Sequence, residues 1–444
     1  MSFDPAAIST FRYVGYELDA ERGALTCRYA LDGAVEFEEV IRAEPGEGWN
    51  RAEVAEAARL VFLLAGVSYY KAAAPPIIDL GATPVRPGER AFLRTFYIDG
   101  LGEYAYRNGL DLTGITLVGG EPAGDPATPT STDTPRPLIP FGGGLDSIVT
   151  VESTRDAQPD AALFILSRHG VHFEAIEGAA AVTGLPILRA DQQLDEKIRR
   201  SAELGYRNGH VPVTGVLSAI AVLVAMLHGR DSVVMSNEWS ASVGNTTAHD
   251  RVVNHQWSKS LAFEVAFREV LAGAFTRAPD YYSFLRDHSE VWVAERFAQL
   301  ERYHPVFRSC NRAFHIDPAQ RLDHWCGSCD KCAFIDLVLA PFLGPARMAE
   351  IFDGTEPLDN PALGETFRTL LGISGEVKPF ECVGDVDECR VAAVLAADRP
   401  DRTDQPQLQQ LVSDLGGIAD AARLAAPTMF EPLPSPQDTD VVPS

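Results

Sequence analysis

The 444-residue chain has no stretch of about 18 uninterrupted apolar residues, the length a membrane-crossing helix requires. Its first residues, Met1-Ser2-Phe3-Asp4, lack the basic start and apolar core of a secretory signal. Both absences point to a cytoplasmic protein with no membrane partner. Basic charge is scarce as well: 38 Lys and Arg stand against 62 Asp and Glu, a formal charge of −24. No Lys/Arg cluster offsets that field, so no nucleic-acid partner is expected and a small-molecule substrate is. Cysteine is sparse and odd in number, seven in all, which argues against a disulfide framework. The apolar content of 46% and charged content of 23% are those of an ordinary globular protein, and this length predicts two or three domains.

Two common nucleotide signatures are missing too. Gly142-Gly143-Gly144 is followed by Leu145-Asp146 where a Walker A loop needs Lys-Ser/Thr, and no G-x-G-x-x-G fingerprint fits. What stands there is an apolar strand-like run (Leu138, Ile139, Phe141), three glycines, then Asp146-Ser147 opening a helix-like run. The first turn of a helix presents unpaired N–H groups and the positive end of its dipole, so an anion is held there without a cationic side chain. Glycines let the backbone approach phosphate oxygens closely. Ser147 adds a hydroxyl, and Asp146 is placed to hold Mg²⁺ or to fix the loop. A lone triple glycine would be read as a turn; the strand before it and Asp-Ser after it favour phosphate.

Along the chain, residues 1–118 read as an α+β domain: an antiparallel meander over 10–42, a helix over 51–67 and another over 89–108. Residues 119–136, rich in Gly, Pro, Thr, Ser and Asp, read as a linker. Residues 137–345 alternate strands (161–166, 185–189, 232–236) with helices (173–183, 213–227), which predicts an α/β domain with a parallel sheet. Ligands of such a sheet sit at the carboxyl ends of its strands, where Gly142–Ser147 and Asn237-Glu238 would both lie. Residues 346–425 read as helical, and 426–444, rich in Pro, as a disordered tail.

Three further constellations carry chemistry. Residues 236–260 are dense in amide, carboxylate, imidazole and ammonium groups, among them Asn237, Glu238, Asn245, Asn254, His255, Gln256 and Lys259. His255 or Lys259 is a candidate general base, Glu238 a candidate to bind Mg²⁺ or orient that base, and Lys259 a candidate to neutralise a phosphate or carboxylate. The plain alternative is that His255 and Trp257 cap the helix expected over 261–272. Cys310, Cys326, Cys329 and Cys332 form the second group. Two-residue gaps let thiolates converge on one ion at about 2.3 Å, and four sulfurs with no open position suggest a structural Zn²⁺ site, although an iron–sulfur cluster also accepts four cysteines. Reduced free thiols are the bland reading. The third, Glu376 to Gly384, reads as a loop reaching the active site with Lys378 and Glu381, or else as a plain surface loop.

The glycine loop resembles the pyrophosphate-binding loop of the PP-loop ATP pyrophosphatases, usually Ser-Gly-Gly-x-Asp-Ser, with Gly142 in place of the serine. That resemblance implies an adenine-nucleotide alpha-hydrolase-like domain, 137–345, that cleaves ATP to AMP and pyrophosphate and activates a carboxylate. A PP-loop followed by a cysteine quartet is similar to the 7-cyano-7-deazaguanine synthases, although the gap from Cys310 to Cys326 is longer than theirs. The flanking motifs resemble another relative better. Asn237-Glu238, Val253-Asn254-His255-Gln256-x-Ser258-Lys259-Ser260, Trp325-Cys326-Gly327-x-Cys329-x-Lys331-Cys332 and Lys378-Pro379-Phe380-Glu381-Cys382-Val383-Gly384 are similar to segments of the UDP-N-acetylmuramoyl-L-alanyl-L-glutamate epimerases of peptidoglycan synthesis. The resemblance implies ATP and Mg²⁺ at Gly142, Gly143, Gly144, Asp146, Ser147 and Asn237. It also implies a UDP-linked muramoyl dipeptide as substrate and proton transfer by some of His255, Lys259, Lys331, Lys378 and Cys382. An amidoligase of the deazaguanine-synthase type, acting on another small carboxylate, is the rival reading, and a non-catalytic ATP-binding protein is a third.

Overall fold

A computed structural model of the chain describes residues 3–33, 35–130, 135–315 and 318–434. Its centre is a ten-stranded sheet. From one edge the strands run Asp280–Ser283, Ser232–Met235, Pro137–Pro140, Ala162–Arg168 and Ile187–Gln193, all parallel. The sheet continues through Val35–Ala43, antiparallel to Ile187–Gln193 with Ala43 opposite Ala190, then Ala24–Leu31 and Thr10–Asp19. Ile77–Asp79 and Thr116–Val118 close the other edge, parallel to Thr10–Asp19. The expected meander is present, but it extends the α/β sheet rather than standing apart from it.

The three central parallel strands, Ser232–Met235, Pro137–Pro140 and Ala162–Arg168, carry apolar residues on both faces, as strands sandwiched between helices must. Leu138, Phe164, Val233 and Met235 point into one buried core; Ile139, Leu163, Ile165 and Val234 point into the other. Val213–Leu227, apolar on every side, is buried in the first core against Ala52–Ala65. The second core is covered by Leu145–Thr154, Glu290–Ala298 and Asp330–Leu339, and by the helices of the C-terminal region, among them Val386–Ala397 and Pro406–Leu415.

Three sequence expectations are changed. The helix expected over 89–108 is two helices, Pro87–Ile98 and Gly102–Asn108. Gly100 and Gly102 weaken helical continuity there, and a Cβ on Gly100 would lie 2.4 Å from the Phe96 carbonyl oxygen and 2.9 Å from Pro212. The expected linker is anchored. Glu121–Pro122 pairs with Pro84–Val85, and Ala127 exchanges backbone hydrogen bonds with Ala274 and Thr276. Of it, residues 131–134 lie outside the described residues. The expected disordered tail is ordered as far as Pro434. Ala426–Phe430 forms a 3-10 turn, Ser289 Oγ donates to the Met429 carbonyl at 2.7 Å, and Trp239 Nε1 donates to the Pro434 carbonyl at 2.8 Å. Residues 435–444 lie outside the described residues.

Candidate active site

The parallel strands wind outward from Pro137–Pro140, to Ala162–Arg168 on one side and, later, to Ser232–Met235 on the other. The order reverses at that first strand, and the crevice at the carboxyl ends of such a pair is where open α/β sheets bind ligands. The glycine loop leaves the first strand there, and Asn237-Glu238 leaves the second.

Gly143 turns the loop with φ +75°, and a Cβ on it would lie 2.5 Å from the Ala175 carbonyl oxygen. Gly142 is exposed with open space beside it. Gly144 caps the helix Leu145–Thr154 without a side-chain hydrogen bond, so the first-turn N–H groups have no side-chain cap of their own. Ser147 Oγ donates to the Gly144 carbonyl at 3.0 Å. Asp146 Oδ1, Ser236 Oγ and Ser309 Oγ are shut off from solvent without a partner. Burial first, and the charge of Glu238 second, push the Asp146 carboxyl up to about 7 against the pull of Lys331 and Lys259. Asn237 Nδ2 donates to Ser283 Oγ at 2.9 Å, tying the second strand end to the edge strand, while Glu238 is buried beside it.

The amide-rich segment holds the 376–384 loop in place. Asn245 Oδ1 accepts from the His255 backbone N–H at 2.8 Å, and its Nδ2 donates to the Pro379 carbonyl at 2.9 Å. Gln256 Nε2 reaches the Val383 carbonyl at 3.4 Å and its Oε1 accepts from Lys259 Nζ at 3.1 Å. Lys331 Nζ donates to the Cys382 carbonyl, and Asn311 Nδ2 to Glu381 Oε1 at 3.0 Å. Phe380 sits against Tyr106, with the Arg107 guanidinium 4.9 Å from its ring centre.

Those contacts carry Cys382 into a cluster of cations. Lys259 Nζ lies 3.2 Å from Cys382 Sγ, and the charge of His255 acts on the same side chain. Burial alone would raise the thiol, but Lys259, His255 and the charge of Lys331 hold it down to about 6. His255 responds in kind: burial disfavours its charge, yet Cys382 and Glu103 raise it to about 9. Its Nδ1 is 2.5 Å from Glu103 Oε2. The His210 ring stacks near it at 4.2 Å and is pushed down to about 4 by burial and by the His255 charge.

The four cysteines converge, with every pair of sulfurs within 4.8 Å. Cys329 caps the helix Asp330–Leu339, Cys332 lies in its first turn, and Gly327 turns the knuckle between them and Cys326 with φ +60°. Four thiols on one centre fit a closed metal site. The same short segment projects Lys331, and Cys310 precedes Asn311, so both hydrogen bonds from this side to the 376–384 loop come from residues adjoining the four cysteines.

Of the residues singled out in the sequence, Glu238, His255, Lys259, Cys382 and Asp146 are brought into one electrostatic group. Lys378 is buried elsewhere in the loop, and its charge acts on Asp385 and Cys389. Sequence reasoning missed Glu103 and His210. Glu103 also pairs with Arg107 at 2.6 Å, an i,i+4 spacing that reads as an ordinary surface ion pair.

An α/β protein with a glycine loop at its switch point, a thiol among cations and a cysteine quartet is therefore the class these features define. The MurL N-terminal domain family matches residues 2–284, and the MurL C-terminal domain family matches 306–425. A protein of Xanthomonas oryzae pv. oryzae named UDP-N-acetyl-alpha-D-muramoyl-L-alanyl-L-glutamate epimerase is 39% identical over 93% of this chain and 91% of its own. Proteins of the same name from a Micromonospora species (39%, covering 91% and 90%) and Salinispora tropica (38%, covering 91% and 88%) are similar to comparable extents. No solved structure matches. The chain belongs to the MurL family of UDP-N-acetylmuramoyl-L-alanyl-L-glutamate epimerases.

Proposed function

We propose that the chain converts the terminal L-glutamate of UDP-N-acetylmuramoyl-L-alanyl-L-glutamate to D-glutamate, using ATP to activate the α-carboxylate as an adenylate, in peptidoglycan precursor synthesis. The α-proton beside a free carboxylate is hard to remove, because the enolate would add charge to a group already anionic. Adenylation removes that charge and places the proton within reach of an ordinary base. Gly142, Gly143, Gly144, Ser147 and Asn237 bind the nucleotide in this reading, with Asp146 and Glu238 toward Mg²⁺. Asp146 Oδ1, buried and without a partner, suits such an ion. A structural Zn²⁺ ion suits the four thiols of Cys310, Cys326, Cys329 and Cys332 and keeps Lys331 and Asn311 on the 376–384 loop. His255, Lys259, Lys331, Lys378 and Cys382 are the candidate proton carriers.

One observation carries the reading: Asp146 of the glycine loop feels the charges of Lys259 and Cys382, which supports a carboxylate activated at the loop being within reach of groups able to move a proton. The test is the acceptor dependence of AMP formation by the purified protein with ATP and Mg²⁺. AMP release that requires the muramoyl dipeptide and ignores ammonia is expected. AMP release that requires ammonia and yields an amide would replace the epimerase with a PP-loop amidoligase.

A further inference from the structure

Six of the seven cysteines are accounted for without a proton-transfer role. Cys310, Cys326, Cys329 and Cys332 form the quartet, while Cys27 and Cys389 are fully buried. Cys382 differs in being half-buried, in a loop pinned by Asn245, Gln256 and Lys331, with Lys259 Nζ at 3.2 Å and the charge of His255 acting on it. Glu103 Oε2 stands 2.5 Å from His255 Nδ1. On the reading that an activated glutamyl carboxylate is deprotonated here, we propose that Cys382 is the base that takes the substrate's α-proton, and that Glu103 is the positioning residue that keeps His255 as its imidazolium partner.

The chemistry closes. The α C–H bond breaks and an S–H bond forms on Cys382, and the C–H electron pair moves into the carbonyl of the activated ester. A proton from solvent water then adds to the opposite face and the electron pair returns to a new C–H bond. Cys382 gives its proton back to solvent, and water then attacks the acyl carbon, breaking its bond to the phosphate oxygen to free the D-glutamyl carboxylate and AMP. A thiolate is a capable base near neutral pH only if cations hold it ionised, and Lys259, His255 and Lys331 surround this one while Asp146 opposes them. The charge on His255 is supported by Cys382 itself and, from outside the reacting pair, by Glu103, while its further neighbour, His210, is neutral at pH 7. This gives the N-terminal region a chemical task. The break between Pro87–Ile98 and Gly102–Asn108 reorients the chain ahead of Glu103, and the same short helix supplies Tyr106 and Arg107 to hold Phe380, two residues before Cys382.

The full chain and its Cys382→Ala and Glu103→Gln variants would be compared by three readouts. The first is substrate-dependent exchange of labelled pyrophosphate into ATP, the second α-deuterium uptake in D₂O, and the third the pH dependence of Cys382 alkylation by iodoacetamide, followed on its peptide by mass spectrometry. Cys382→Ala is expected to keep the exchange and to lose deuterium uptake by about 100-fold or more. In the parent chain the alkylation midpoint should lie near 6, and in Glu103→Gln it should rise by about one unit or more, with kcat lowered and KM little changed. Deuterium uptake retained by Cys382→Ala would overturn Cys382 as the base. An unmoved midpoint in Glu103→Gln would overturn the positioning role. Deuterium uptake by the parent chain without pyrophosphate exchange would instead sink the adenylate reading and leave the Cys382 assignment to the variant.

Discussion

Substituting neighbouring glycines of the loop separates a backbone that must be glycine from one that merely is. Gly143 has φ +75°, a conformation that costs an L-residue about 1–2 kcal/mol. Its missing Cβ would also fall 2.5 Å from the Ala175 carbonyl oxygen and 3.0 Å from Ile176 Cα. Both atoms belong to the backbone of the helix Glu174–Thr183, so relief requires displacing that helix rather than a side chain. Gly143→Ala should therefore lose at least about 2 kcal/mol and open the phosphate loop. Gly142 meets nothing within 4 Å, and its φ is not in the left-handed region. Gly142→Ser should stay within about 0.5 kcal/mol of the parent and leave or lower the KM for ATP. Urea unfolding midpoints at unchanged m, together with ATP dependence of AMP formation, measure both effects. A Gly143→Ala protein with parental midpoint and KM, or a Gly142→Ser protein as damaged as Gly143→Ala, would refute the geometry assigned to this loop.

Arg402 and Glu356 form a fully buried ion pair at 2.6 Å with Gln405 bound to both, so Arg402→Met should cost about 3–5 kcal/mol in urea unfolding by leaving Glu356 buried and unpaired. On the proposal that the four thiols hold Zn²⁺, a strong chelator should release one ion per chain and abolish activity together with the hydrogen bonds from Lys331 and Asn311; metal analysis and add-back of Zn²⁺ check it, and full activity in metal-free protein would contradict it. The Cys382–His255 pair should shape the pH profile. Cys382, depressed to about 6 from the usual thiol value, contributes stability present above its unfolded pKa and lost as pH falls through 6. His255, raised to about 9, contributes stability complete below its unfolded pKa and lost as pH rises through 9. The charged pair exists between those limits, so kcat/KM should be bell-shaped with limbs near them, and a profile flat from 5 to 10 would exclude the pair from the rate.

Much of this site is legible in the sequence because its chemistry is local. The glycine loop, Asp146-Ser147, the cysteine knuckle and the Cys382 loop each lie within about a dozen residues, and residue type and spacing single them out as candidates. The two-faced apolar strands likewise announce a parallel sheet, since only strands covered on both sides can be apolar at every position. Glu103 and His210 stay hidden because their meaning is set by a partner more than 40 residues away in sequence, and a Glu-x-x-x-Arg spacing on a short helix has an adequate local explanation. The single sheet is hidden for a similar reason: the pairing of Val35–Ala43 with Ile187–Gln193 leaves no periodic signal in either strand. The Pro-rich segment to Pro434 looks disordered by composition, yet carbonyls in it accept from Ser289 and Trp239, which composition does not see.

Incubation of the purified protein with ATP, Mg²⁺ and UDP-N-acetylmuramoyl-L-alanyl-L-glutamate in D₂O, following AMP, deuterium at the glutamate α-carbon and its configuration, tests the central claim most directly. An adenylating epimerase gives all three together: AMP, α-deuterium and D-glutamate. AMP without deuterium would make the protein a ligase, and the absence of AMP and deuterium alike would contradict the epimerase function.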